Sequence, residues 1–316
     1  MAEYVTKIRT NEGDKQIDYN ALANLPDLTP MFSNPNLIIN GDFQVWQRGE
    51  RFSNYENAYC ADRWNIKNAN HSTHLIEKSD DVPENEYMQN SIHIVENYDS
   101  NTYLQYHFEK PLKGTYTLSF WCKSTAVFNS YIVDNDSFVH LGTYFEAGKW
   151  EKVVYTFTAS AMSRINLIHT LGIGECYITG VKLEAGAIAT HFIPRLYAEE
   201  LMMCKRYFDV ISGVRVDGGE CNVNMKCYTY TIHKDIGCMA SIPNVFTKET
   251  LTNSIYGICV RSSDTTMLSE FTFMYGCANG AVLITATSDS ELEKNGYDTQ
   301  LYVNDNFKIY LDAEIY

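Results

Sequence analysis

Apolar and polar residues alternate one by one along much of this chain, a period of two that predicts strands. In residues 115–123, Tyr116, Leu118, Phe120 and Cys122 share one face, while Thr117, Ser119, Trp121 and Lys123 share the other. Residues 150–158 alternate in the same way, and residues 91–96 and 103–108 supply two more strands. Lys113-Gly114 and Ala147-Gly148 read as turns between them. Earlier, Leu37, Ile38 and Ile39 form a short apolar run before Asn40-Gly41, a strong turn dipeptide. Phe43, Val45 and Gln47 then alternate with Gln44, Trp46 and Arg48, so a first hairpin is expected here. Strands joined by Gly- and Asn-bearing turns, with no long helix between them, predict one β-sandwich over residues 36–193.

Residues 194–208 change the period. Tyr197, Leu201, Cys204 and Phe208 make one apolar helical stripe, with Pro194 suited to the first position. Beyond residue 209 the strand period returns. In a strand expected at 221–231, Cys221, Val223, Met225 and Cys227 lie on one face. Asn222, Asn224, Lys226, Tyr228 and Tyr230 lie on the other. Residues 307–316 repeat the pattern with Phe307, Ile309, Leu311 and Ile315 inward, and residues 209–316 are expected to form a second, C-terminal β-sandwich. Residues 1–35 are too few to bury a core. They read as a small hairpin turning at residues 11–14, followed by a linker marked by Pro26, Pro30 and Pro35.

Charge and composition then remove whole classes of function. A formal charge of −14 and a pI near 5.0, without any basic run, exclude a nucleic-acid binder. No apolar stretch approaches the roughly 18 residues that span a bilayer, so no membrane insertion is expected. The first residues lack the apolar region of a signal peptide, which points to synthesis and assembly in a bacterial cytoplasm. Nine cysteines at irregular spacing, with no Cys-x-x-Cys, favour free buried thiols over disulfides or zinc. No nucleophile elbow, zinc-protease helix, phosphate loop or dinucleotide fingerprint occurs, so no catalytic residue, cofactor or metal is assigned and an enzyme is not expected. His71 and His74 read as a polar loop, and residues 134–137 and 304–306 as Asx-turns. Trp64 is expected as a core anchor, with Asp62 bonding nearby backbone.

Several segments carry a resemblance. NLIINGDFQVWQRG at 36–49, with ADRW at 61–64, resembles the opening of a carbohydrate-binding-like jelly-roll domain of bacteriophage tail fibres and tail-tip proteins. TLSFWCKS at 117–124, KWEKVVYTFT at 149–158 and YITGVKLEAGAIATHFIPR at 177–195 resemble later strands of that domain, in the same order. EELMMCKRYF at 199–208 is similar to a segment that often follows it, and KIRTNEGDKQIDYNALANLP at 7–26 looks like the N-terminal peptide of gut-phage tail proteins.

The fold expected from both readings is all-β: a jelly-roll β-sandwich at 36–193, a linking helix at 194–208 and a C-terminal β-sandwich at 209–316. The resemblance implies a receptor-binding protein of a phage tail that attaches the virion to a host cell-surface glycan. It further implies a homotrimer, with residues 1–35 docking onto other tail or baseplate proteins. A purely structural tail component and a glycan depolymerase are the alternatives. Glycans need aromatic faces beside amides and carboxylates. That need singles out Asn222, Asn224, Lys226, Tyr228 and Tyr230, with Tyr297, Asp298 and Gln300 from the loop-like residues 295–300.

Overall fold

The computed structural model describes residues 7–10, 13–16, 33–55, 58–68, 73–84, 86–97, 102–144, 148–169, 171, 173–212, 215–222, 227–233, 239–240, 244–246, 257–261, 264–267, 270–275, 281–287, 296–303 and 308–314. Strands β1 (Lys7–Thr10) and β2 (Gly13–Gln16) pair antiparallel, the small hairpin expected at the N-terminus, with Thr10 opposite Gly13. Then follow β3 (Arg51–Tyr55), β4 (Ala58–Tyr59), β5 (Asn65–Asn68), β6 (Thr73–Ser79), β7 (Ser91–Glu96), β8 (Thr102–Ser124), β9 (Phe128–Asp134), β10 (Ser137–Tyr144), β11 (Glu151–His169) and β12 (Gly174–Ala185). These ten form one antiparallel sheet, ordered β10-β9-β11-β8-β12-β7-β6-β3, with β5 joining at β8.

Lys113-Gly114 does not end a strand. β8 runs through it, bending at Gly114, whose φ of 136° suits glycine. β11 bends with it through register shifts between Ala159 and Arg164. Before the bend, β8 pairs with β5 and the far end of β11. After it, β8 pairs with the near end of β11 and with β12. One sheet therefore folds over itself into two leaves. Leu104 and Tyr106 before the bend, and Leu118, Phe120 and Cys122 after it, close on one core with Ile92, Ile94, Ile165 and Ile178. Tyr116, Leu118, Phe120 and Cys122 are all buried as one face, and on the other face Thr117 and Ser119 are buried as well while Trp121 and Lys123 are half-buried.

Residues 36–49 form no strand; the expected hairpin is an irregular loop. Its polar residues explain why. Asn36 accepts from the Leu183 N–H at 3.0 Å and donates to the Val181 carbonyl at 2.9 Å, while Leu37 N–H bonds Leu183 O at 2.9 Å. The loop thus stitches itself to β12 beyond the last residue that β7 pairs. Gly41 is needed for closeness: a Cβ there would stand 2.2 Å from the Val181 carbonyl oxygen. Trp64 is fully buried, and the Asp62 carboxylate accepts the Gln47 N–H at 2.7 Å, the structural roles expected of both.

The helix is shorter than its stripe suggested. α1 spans Tyr197–Cys204 only. Pro194 and Arg195 lie before the helix, where the Arg195 guanidinium is drawn back to the carbonyls of Asn36 and Ile38, at 2.5 and 3.1 Å. Phe208 instead opens β13 (Phe208–Ser212). Next come β14 (Arg215–Asn222), β15 (Cys227–His233), β16 (Asn244–Phe246), β17 (Gly257–Arg261), β18 (Asp264–Met267), β19 (Glu270–Tyr275), β20 (Ala281–Thr287), β21 (Gly296–Val303) and β22 (Lys308–Asp312). They form two further antiparallel sheets, β13-β22-β16 and β18-β17-β21-β14-β15-β20-β19. The single strand expected at 221–231 is two, β14 and β15, with Asn222 opposite Cys227.

Buried charge ties the β13-β22-β16 sheet to the jelly roll. Arg63 and Glu314 are 1% and 0% exposed and meet at 2.5 Å, and Arg63 lies over the Tyr207 ring at 3.6 Å. Arg48 reaches Glu314 at 3.4 Å and stacks over Phe208 at 3.6 Å. Among the described residues, Cys60, Cys122, Cys176 and Cys204 are free and buried, and burial pushes the Cys60 thiol up to about 12. Residues 134–137 make a turn, with Asn135 and Asp136 at φ of 47° and 60°, but the Asp134 carboxylate accepts the N–H groups of Ser160 and Ala161 across the sheet instead of closing the expected Asx-turn.

Two outcomes follow. Glu314→Gln leaves a buried guanidinium without its counter-charge and should cost about 3 kcal/mol or more. The readout is a lower urea midpoint, and an unchanged midpoint contradicts the pairing. Asp42, 4% exposed, is pushed up to about 6 by burial and then by Glu200. The folded state therefore binds this proton more tightly than the unfolded chain, and its contribution to stability falls as pH rises from about 4 through 6. Asp42→Asn should match the parent near pH 4 and exceed it by about 2 kcal/mol at pH 7.5. Equal stabilities at both pH values would refute this.

Candidate functional site

The outer faces of β6, β7, β12 and β8 carry the residues that do not enter the core, and their register brings unlike chemistry into line. Glu77 stands opposite His93, His93 opposite Tyr177, and Tyr177 opposite Lys123. Trp150 completes the row, since its neighbour Glu151 pairs with Cys122. A carboxylate, an imidazole, a phenol and an ammonium thus run across four adjacent strands on one surface, with the indole of Trp150 just before the fifth.

Each member is held by its neighbours. His93 stacks on Tyr177 with centroids 4.1 Å apart and planes 5° from parallel. Its ring nitrogens meet Glu77 at 3.0 Å and Glu175 at 3.1 Å, so the ring can neither slide nor turn without losing a partner. Lys123 Nζ sits over the Tyr177 ring at 4.3 Å and the Trp150 ring at 5.7 Å. Asp81, just after β6, receives Lys123 and the Trp150 indole N–H, the latter at 2.9 Å. Burial works against its charge, but these hydrogen bonds and the Lys123 charge prevail and hold Asp81 below its ordinary range. Burial, then Glu175 and Asp81, push the Tyr177 phenol up to about 12, so it keeps its proton.

A groove of about 490 Å³ opens over the His93–Tyr177 end, with Glu50, Lys78 and Asp80 on its rim. Its polar groups are fixed, and the half-buried Tyr177 ring lies between His93, stacked at 4.1 Å, and Lys123 Nζ, 4.3 Å over the ring, while Trp150 adds an indole at the far end of the row. Such a surface can stack an apolar ring face and bond the hydroxyls around it. The other leaf also carries aromatics: Tyr131 lies 4.6 Å from His169 and 6.2 Å from Phe138.

The residues favoured by sequence lie elsewhere. Asn222 ends β14, Tyr228 and Tyr230 lie on β15, and Asn224 and Lys226 fall outside the described residues. Tyr297, Asp298 and Gln300 lie on β21, a strand rather than the expected loop. Backbone register brings the two groups to one sheet: Cys221 of β14 pairs with Tyr228 on one side and Gly296 on the other. The row was missed because its members come from strands whose spatial order departs from chain order. The available signal was the polar face of each alternating strand, where His93, Lys123 and Tyr177 all fall.

No protein-family model and no curated protein matches the chain. Among solved structures, the enzymatically active domain of tailspike protein 4 of bacteriophage CBA120 is similar at 14% identity and a TM-score of 0.36. That likeness covers 47% of this chain and 21% of the tailspike chain. A CBM4 structure is 21% identical, with a TM-score of 0.32 over 46% of this chain and 98% of its own. The CBM22 xylan-binding domain from Paenibacillus barcinonensis is 9% identical, with a TM-score of 0.34 over 49% and 98%. Likenesses of this size carry no weight for function, and the jelly-roll sandwich stands on the strand pairings themselves.

Proposed function

We propose that this chain is a receptor-binding protein of a bacteriophage tail, and that its jelly roll holds a host cell-surface glycan on the row from Glu77 to Trp150. The single observation that carries the glycan reading is that row: two aromatic rings, Tyr177 and Trp150, flanked by fixed carboxylates and an ammonium on one open surface. The resemblance of residues 36–49, 61–64 and 177–195 to tail-fibre jelly rolls supports the virion setting. In this reading residues 1–35 dock on the tail, three copies assemble, and the chain binds without catalysing. Weak single sites then become firm adhesion when several act together. Asn222, Tyr228, Tyr230, Tyr297, Asp298 and Gln300 are proposed as added contacts in the C-terminal region.

Adsorption of the labelled full chain to a panel of bacterial cells tests this. Trp150→Ala combined with Tyr177→Ala, assayed well below the variant's own thermal midpoint, should lower adsorption to a responsive strain about tenfold or more, since two aromatic contacts of about 1 kcal/mol each are lost. Adsorption untouched by the double variant would remove the row from the interface. Release of reducing ends from the bound cells would favour a depolymerase instead.

A further inference from the structure

Asn90 lines two hollows at once. On one side lies the groove over His93 and Tyr177. On the other lies a larger cleft of about 610 Å³, whose walls include Asp42, Gln44, Tyr87, Arg195 and Tyr197. Asn90 is fixed to the sheet, because its carbonyl accepts the Thr179 hydroxyl at 2.5 Å, two residues along β12 from Tyr177. The two hollows therefore adjoin at Asn90.

The chemistry of the second hollow repeats that of the first. Tyr87 and Tyr197 are 66% and 56% exposed, so both rings offer open surface to this cleft. Gln44 and Asn90 supply amides, which both donate and accept. Gln44 Nε2 donates to the Arg195 carbonyl at 3.2 Å, and the Arg195 guanidinium is held by Glu200 at 3.1 Å, so the positive charge in this wall is already matched. Asp42, with its raised pKa, gives the wall a carboxyl that can carry a proton near neutrality. Around the first hollow, Glu77, Asp80, Asp81 and Glu175 outnumber Lys78 and Lys123. A polyanionic ligand would be repelled.

We propose that the Tyr87–Tyr197 cleft is a second subsite for the same ligand, which is an uncharged oligosaccharide running from Trp150 past Asn90 to Tyr197. This rests on the glycan-binding reading above. The full chain should be applied to an array of neutral, uronate-containing and phosphate-containing oligosaccharides, each printed at two and six units. A neutral hexasaccharide should be held about tenfold or more tightly than its disaccharide, with the charged sets weaker. Tyr87→Ala with Tyr197→Ala should abolish that length preference and leave the disaccharide affinity unchanged, whereas Trp150→Ala with Tyr177→Ala should weaken both lengths. Equal affinity for two and six units, a length preference that survives loss of both tyrosines, or a preference for the charged sets overturns the second subsite while the row still stands. Absence of all binding, or binding untouched by the row variant, overturns both.

Discussion

Asn40 is the residue on which the parts of this protein converge, and it does so by using every polar group it has. Its amide Nδ2 donates to the carbonyls of Val45 and Asp62, both at 2.9 Å, and its Oδ1 accepts the Val45 N–H at 3.0 Å. Its carbonyl accepts the Trp64 indole N–H at 2.8 Å, and its backbone N–H meets Glu200 of α1 at 2.5 Å. All of this is out of reach of water, where each unmet partner costs about 1–3 kcal/mol. No other side chain of similar size offers donor and acceptor in this geometry; aspartate lacks the donor and leucine lacks both.

From that point the connections run outward. Asp62 holds Gln47, and Gln47 Nε2 donates to the Phe208 carbonyl at 2.7 Å, where β13 begins. Arg63, next in the chain, carries the ion pair to Glu314. Asn36 and Gly41 pin the loop to β12 at Val181 and Leu183, only a few residues from Tyr177. The same stitching thus joins jelly roll, helix and β13-β22-β16 sheet, and steadies the strand that carries the centre of the surface row.

Alternation identified the strands well because one face of each must enter a common core; Leu118, Phe120 and Cys122 are buried as their spacing implies. It misread residues 36–49 because Phe43 and Val45 are buried for a different reason, as parts of a loop wound around a buried amide. Lys113-Gly114 looked like a turn because a bend in a long strand needs the same positive φ. The helix ended early because the stripe to Phe208 ignores the pull of Arg195 and the pairing of Phe208 with Asp312. The candidate site was least visible. Its residues are ordinary one at a time, and only the order β6-β7-β12-β8-β11 sets Glu77, His93, Tyr177, Lys123 and Trp150 side by side.

Oxidative footprinting of the full chain bound to envelopes of a bacterium it adsorbs to would locate the contact directly. Protection of Trp150 and Tyr177, with Tyr131 and Phe138 on the other leaf still labelled as in the free protein, is the predicted result. Protection confined to residues 209–316, with Trp150 and Tyr177 labelled as before, would place recognition elsewhere and contradict the row as the glycan surface.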